Sequence, residues 1–228
     1  MTNLHTLEVS SQPNPFVLVF KEQIKSKPIK RAFDFLFSVG ALLFFFPILV
    51  IVTLAIRITS RGKTVYSHER IGRGGKPFQC YKFRTMYVDA DAKLKDLLAS
   101  CPEMRKEWDH SYKLKNDPRV TPIGAFLRKT SLDELPQFWN VLKGELSIVG
   151  PRPVVKAELA KQYGSKAVKI LSIKPGLTGL WQVSGRNDTS YANRIRMDEE
   201  YIDKQSLLFD IKLILKTIPA MVLSKGAY

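Results

Sequence analysis

The chain has 228 residues, enough for one domain or for a small domain with a membrane element, and too few for two full domains. Apolar residues at 45% and charged residues at 25% exclude a disordered or low-complexity chain, while 36 Lys+Arg against 21 Asp+Glu (net +15) point to polyanionic partners: nucleic acid, phosphorylated small molecules or an anionic membrane face. Two cysteines, Cys80 and Cys101, exclude a disulfide framework, and His5, His68 and His110 lack the Cys/His neighbours of a zinc finger.

Residues 1–28 are polar, carry prolines at 13, 15 and 28, and read as a mobile cytosolic tail. The next segment, FLFSVGALLFFFPILVIVTLAI (35–56), has 22 residues without a charge, long enough to cross a hydrocarbon core of ~30 Å. It starts too deep and runs too long for a cleavable signal. A single transmembrane helix is the simple reading, but two features oppose it. Lys21, Lys25, Lys27, Lys30 and Arg31 precede the segment, and Arg57, Arg61, Lys63, Arg70, Arg73 and Lys76 follow it, so both ends ask for the cytoplasmic side. Pro47, near the middle, removes a backbone donor. A kinked, re-entrant helix over 29–60 that enters and leaves one leaflet meets both demands.

Beyond it, TVYSHERI and PFQCYKFRTM flank Gly72-Arg73-Gly74-Gly75-Lys76 and predict a β-hairpin, with Lys82 and Arg84 on one face and Tyr81 and Phe83 on the other. The glycines lack GxxxxGK[ST] spacing and precede a strand, so a turn explains them better than a phosphate loop. An amphipathic helix over 90–100 places Leu94, Leu97, Leu98 and Cys101 together, Pro102 ends it, and a second helical stretch runs to about 115. Further helices are expected at 132–142, 154–163, 193–204 and 207–223, the last with Leu207, Ile211, Ile214 and Ile218 on one face. The expected fold is therefore α+β and helix-dominated: a re-entrant membrane helix and a cytosolic domain (61–228) with a β-hairpin and interfacial amphipathic helices.

Thr130-Ser131-Leu132-Asp133-Glu134 has two readings. Ser131 and Glu134 match a capping box at a helix start. A box needs only one carboxylate, however, and two acids at a helix start behind Arg128 and Lys129 also suit phosphoryl transfer. The dipole would hold Asp133 ionised, one carboxylate could attack phosphorus, and the other could hold a divalent cation. Gly150-Pro151-Arg152-Pro153 stiffens a backbone around one arginine that can grip phosphate, and Ser184-Gly185-Arg186-Asn187-Asp188 presents another; an exposed turn accounts for either alone. The basic and aromatic residues at 81–84 are weak evidence for nucleic acid, with no recognisable nucleic-acid module.

YKFRTM (81–86), DPRVTPIGAFLRKTSLDELPQFWNVLKGELSIVGPRP (117–153), KPGLTGLWQVSGRND (174–188) and the terminal GAY (226–228) together resemble the bacterial monotopic phosphoglycosyl transferases. In length the chain resembles the short exopolysaccharide-initiating members, most of all those transferring galactose-1-phosphate to undecaprenyl phosphate.

That resemblance implies a UDP-sugar donor and an undecaprenyl phosphate acceptor at the cytoplasmic face of the bacterial inner membrane, with both termini cytoplasmic, UMP as product and no nucleic acid. It implies ping-pong chemistry with Mg²⁺, in which Asp133 is the nucleophile and Glu134 the metal partner. Lys82, Arg84, Arg128, Arg152 and Arg186 would line the phosphate and nucleotide site. UDP-glucose or a UDP-N-acetylhexosamine as donor, a homodimer, and a non-enzymatic membrane-anchored polyanion-binding protein stay open. Many relatives place a small polar residue before the helix-breaking proline; here Phe46 stands there, which bears on the kink and not on the chemistry.

Overall fold

The computed structural model describes residues 27–111, 114, 116–184 and 189–222. All but the end of the 1–28 tail, the whole of Gly185–Asp188 with Arg186, and the terminal GAY lie outside the described residues. Helix α1 (Pro28–Thr59) leads into strand β1 (Val65–Ile71), a 3-10 turn at Arg73–Gly75 and strand β2 (Pro77–Phe83). Helices α2 (Ala90–Ser100), α3 (Pro102–Ser111) and α4 (Pro122–Thr130) follow, then a 3-10 turn at Leu132–Glu134 and α5 (Gln137–Lys143). The remainder comprises β3 (Ser147–Val149), α6 (Lys156–Gln162), α7 (Ala167–Ile170), β4 (Gly176–Thr178), α8 (Leu180–Val183), α9 (Tyr191–Lys204) and α10 (Leu207–Val222).

The predicted hairpin forms with a register pairing Tyr66 with Lys82, His68 with Cys80 and Arg70 with Phe78. These six residues therefore share one face. Phe78 and Cys80 on that face enter the main core with Val141, Leu146, Ile148, Val149, Tyr201 and Leu213. Phe83, on the other face, enters a second core with Val52, Ile56, Leu127 and Leu135, which joins the hairpin to α1. Asn140, fully buried on α5, binds the free edge of β2: it accepts from the Tyr81 amide at 3.0 Å and donates to the Gln79 carbonyl at 2.6 Å. One asparagine thus does for β2 what a third strand would do.

The parallel pair β3–β4 is absent from the sequence-based expectation, because three residues per strand give no periodicity to read. It positions the GPRP loop. The Gly150 amide donates to Thr178 O at 2.9 Å and the Gly176 amide to Pro151 O at 2.8 Å. A Cβ on Gly176 would strike the Gly150 backbone, so the close approach needs glycine.

Helix α1 stays helical through Pro47. Residues on both sides of that proline pack on the same domain. Before it, Arg31 donates to Val141 O (2.5 Å) and Leu142 O (2.7 Å), capping the end of α5, and Phe37 packs against Phe138. After it, Ile48, Leu49, Val52 and Ile56 join the core around Leu127 and Leu135. Elsewhere the helix leaves large apolar groups uncovered, among them Leu36, Leu43, Phe44 and Ile51.

At the foot of α1 a polar network is sealed from solvent. Lys30 pairs with Asp34 (3.2 Å) and with Asp210 on α10 (2.8 Å). Asp34 accepts from Ser147 Oγ at 2.8 Å, and Tyr201 donates to Asp210 at 2.7 Å and sits 2.9 Å from Val149 O.

Helix α2 covers the predicted 90–100, but its leucine face is only half-covered and adds no buried residue to the core. The face predicted for α10 divides: Ile214 packs against the main core and the rest is exposed. Leu213 enters the core, whereas Leu207, Ile211 and Ile218 lie on the outside with Leu208 and Leu215.

Candidate active site

Asp133 and Glu134 do not open an α-helix. Helix α4 stops at Thr130, and Ser131, in the left-handed region (φ 56°), turns the chain into the 3-10 turn Leu132–Glu134; α5 begins only after Pro136. Ser131 is the one non-glycine residue with positive φ among the described residues, and its side chain makes no cap. The capping-box reading therefore fails. A single turn of 3-10 helix carries too little dipole to hold a carboxylate ionised, so the dipole argument fails with it. Strain beside a reactive group is a recurrent feature of working sites.

The surroundings of Asp133 are set by burial and by two cations. It is 8% exposed. Lys82 Nζ stands 2.6 Å from Glu134 Oε1 and 3.9 Å from Asp133 Oδ2, so one ammonium bridges the acidic pair. Arg128 supplies the second positive charge; its Nε donates to Thr85 Oγ1 at 2.9 Å, which fixes the guanidinium between α4 and the end of β2. Burial raises the Asp133 carboxyl to about 6, with Glu134 adding to the rise and Lys82 and Arg128 opposing it. Asp133 is thus mostly an anion at neutral pH, poorly solvated and poised for attack. Lys82 moves the other way: burial would lower it, but the Glu134 and Asp133 carboxylates outweigh burial and raise it.

The remaining predicted cations separate. Arg84 is engaged elsewhere, donating to Ser60 O at 2.7 Å just beyond α1, because β2 ends at Phe83 and the face shared with Lys82 ends with it. Arg152 lies on the GPRP loop with its guanidinium 5.7 Å from the Trp181 ring centre. Arg186 falls outside the described residues. Lys82 and Arg128 are therefore the cations the structure brings to Asp133.

Sequence reasoning passes over three supporting groups. Asp117 and Arg119 form a buried bidentate pair (2.8 and 2.6 Å), with Arg119 under Trp108 of α3 at 5.3 Å. Thr121 caps α4 by accepting from the Gly124 amide, and a Cβ on Gly124 would strike Thr85 O. Asn140 holds β2 where Lys82 can reach Glu134. The sequence offers little signal for it, since Gln137 and Lys143 on the same short helix are polar too.

No cluster of three or more metal-ligating side chains occurs among the described residues. A hard divalent cation such as Mg²⁺ does not require one, since it is commonly held by one or two carboxylates plus substrate phosphates. Glu134, half-exposed beside Asp133, is chemically suited to that part.

Against this geometry stand the relatives. A family model described as bacterial sugar transferase matches residues 25–224. The exopolysaccharide production protein ExoY of Rhizobium meliloti is 49% identical over 199 residues, covering 87% of this chain and 88% of that protein. The UDP-galactose-lipid carrier transferase of Erwinia amylovora is 48% identical over 203 residues, covering 89% of this chain and 42% of that protein. The UDP-glucose:undecaprenyl-phosphate glucose-1-phosphate transferase of Escherichia coli is 38% identical over 207 residues, covering 88% of this chain and 41% of that protein. The chain thus spans nearly all of the first and less than half of the other two. The match takes in α1, the acidic pair and the GPRP loop alike, and the chain belongs to the bacterial sugar transferase family.

Proposed function

We propose that the chain transfers a hexose-1-phosphate, with galactose-1-phosphate as first choice, from a UDP-sugar to undecaprenyl phosphate at the cytoplasmic face of a membrane. The observation that carries this reading is Asp133, a buried carboxylate that shares Lys82 with Glu134 and has Arg128 as its second cation. In the first step an Asp133 Oδ forms a bond to the sugar-bearing phosphorus. The bond from that phosphorus to the bridging oxygen breaks, and UMP leaves with the electron pair. In the second step a phosphate oxygen of undecaprenyl phosphate attacks the same phosphorus, the bond to Asp133 breaks, and the carboxylate is regenerated.

Lys82 and Arg128 lie where negative charge builds on the phosphoryl oxygens, and preorganised charge of that kind lowers the barrier. Glu134, with substrate phosphates, would hold Mg²⁺, which when bound neutralises phosphate oxygens. The relatives' names support the reaction class; the Erwinia protein and a Salmonella typhimurium undecaprenyl-phosphate galactose phosphotransferase, 46% identical, name galactose, and the Escherichia coli protein, at 38%, names glucose. The packing of both arms of α1 against one domain supports a helix that enters and leaves by the same face.

The test is UMP release from a panel of UDP-sugars in undecaprenyl phosphate micelles, with mass spectrometry of protein quenched after donor alone. UMP release that requires Asp133, with a hexose-phosphate adduct on that residue, is the expected result. Product formation with Asp133 always unmodified would remove the covalent route. Binding to anionic polymers without UMP release would favour a membrane-anchored polyanion-binding protein.

A further inference from the structure

The hairpin face that carries Lys82 also carries His68 and Arg70, in register with Cys80 and Phe78. At about 6.8 Å per two residues, the row from Lys82 to Arg70 covers about 14 Å of backbone. It runs from the acidic pair to the GPRP loop, because the Ile71 amide donates to Val154 O at 2.9 Å and docks the end of β1 beside Pro153. Arg70 is half-buried, and it makes no ion pair or side-chain hydrogen bond to a described residue. Arg152 has no such partner either; its guanidinium rests near Trp181, which Arg194 also approaches at 4.9 Å. Glu158 accepts from Tyr191 at 2.5 Å and lies beyond ion-pair distance of Arg70, and the buried Asp198 lies within the field of Arg152.

Arg70 and Arg152, neither held in an ion pair with a described residue, thus stand at the GPRP end of this face, and a guanidinium suits a bidentate grip on phosphate. We propose that Arg70, with Arg152, binds the nucleotide phosphate of the donor, the one that departs as UMP, while Lys82 and Arg128 serve the phosphorus attacked by Asp133. The electrostatics agree: burial lowers the Arg70 guanidinium, Arg152 lowers it further, and Cys80, Glu158 and Glu134 oppose them. Arg70 thus lies within the field of both Glu134 and Arg152. This assignment rests on the phosphosugar transfer proposed above and adds to it a binding residue on β1 and a direction: sugar over the acidic pair, nucleotide toward GPRP.

The experiment is calorimetric titration of UMP and of uridine into the full chain in nanodiscs, for the wild type, Arg70→Met and Arg70→Lys. Wild type is expected to bind UMP more tightly than uridine. Arg70→Met should lose about tenfold or more in UMP affinity with uridine affinity unchanged, and Arg70→Lys, which keeps the charge and the hairpin, should fall between. In turnover, Arg70→Met should raise KM for the UDP-sugar more than it lowers kcat. Equal UMP affinity in wild type and both variants would overturn the role of Arg70 and leave phosphosugar transfer standing. A wild type that neither binds UMP nor releases it from any UDP-sugar would overturn both. Should Arg70→Met fail to fold, Arg70→Lys decides alone: wild-type UMP affinity rejects a bidentate grip, and a several-fold loss confined to UMP supports it.

Discussion

Asp133 pays for its reactivity in stability, and the two can be measured separately. Its carboxyl is raised to about 6 chiefly by burial, so the folded chain holds a proton that the unfolded chain has already lost between the ordinary carboxylate value of 3.8 and about 6. Folding stability attributable to this group therefore falls as pH rises through that window. Asp133→Asn, a near-isosteric neutral side chain, is expected to stabilise the fold at about pH 8 by on the order of 1–3 kcal/mol while abolishing adduct and turnover. Thermal unfolding beside a UMP-release assay checks both; an unstable variant would mean that the charge of Asp133 holds the site together. The same value sets a pH profile. Adduct formation from donor alone should be flat above about pH 7 and fall toward tenfold per unit below about 6, whereas an unperturbed aspartate would keep its rate to about 4. The acidic pair and its cationic company are legible in TSLDELP, but the direction of this shift is not. Sequence pattern offered a helix dipole; burial of Asp133 in three dimensions supplied a stronger and opposite effect.

The elements that hold the site were readable in proportion to their length. The hairpin announces itself through its glycine turn and alternating strands, and α9 and α10 through helical periodicity. The β3–β4 pair and the single-turn geometry of Leu132–Glu134 are too short to leave a period, and their reasons are contacts made far along the chain. The buried network at the foot of α1 belongs to the same class. Lys30 reads as one more flanking cation, yet it neutralises two carboxylates that are almost wholly buried, Asp34 and Asp210, from different helices. Lys30→Met would leave both acids unpaired, and a loss of about 3–5 kcal/mol is expected, the cost typical of breaking a buried ion pair from one side. Denaturant unfolding in detergent measures it. A companion Lys30→Met/Asp210→Asn variant should recover part of the loss; no recovery would show that Lys30 acts through packing and not through charge.

For the molecule as a whole, the question is how a 32-residue apolar helix meets a membrane when its two ends hold the same domain. At 1.5 Å per residue the helix is about 48 Å long, ample for a span. A span would carry one end, and whatever packs against it, to the far side. Yet Arg31 and Asp34 near the start are bonded to α5 and β3, and Val52 and Ile56 near the finish are buried against α4 and Phe83. The proposed re-entrant arrangement keeps both sets of contacts, whereas a crossing helix would have to give one of them up. The uncovered groups Leu43 and Phe44 lie between the two contact regions, and α10 adds Leu208, Leu215 and Ile218 as a second uncovered apolar surface. Lys27→Cys and Lys63→Cys, each in a Cys101→Ser background since Cys80 is buried, test the arrangement in spheroplasts. Both positions should resist a membrane-impermeant maleimide until the cells are lysed, and then label equally. Labelling of Lys27→Cys in intact spheroplasts would require the Arg31 and Asp34 contacts to break in the membrane, and with them the positioning of α5 that places Lys82 on the acidic pair.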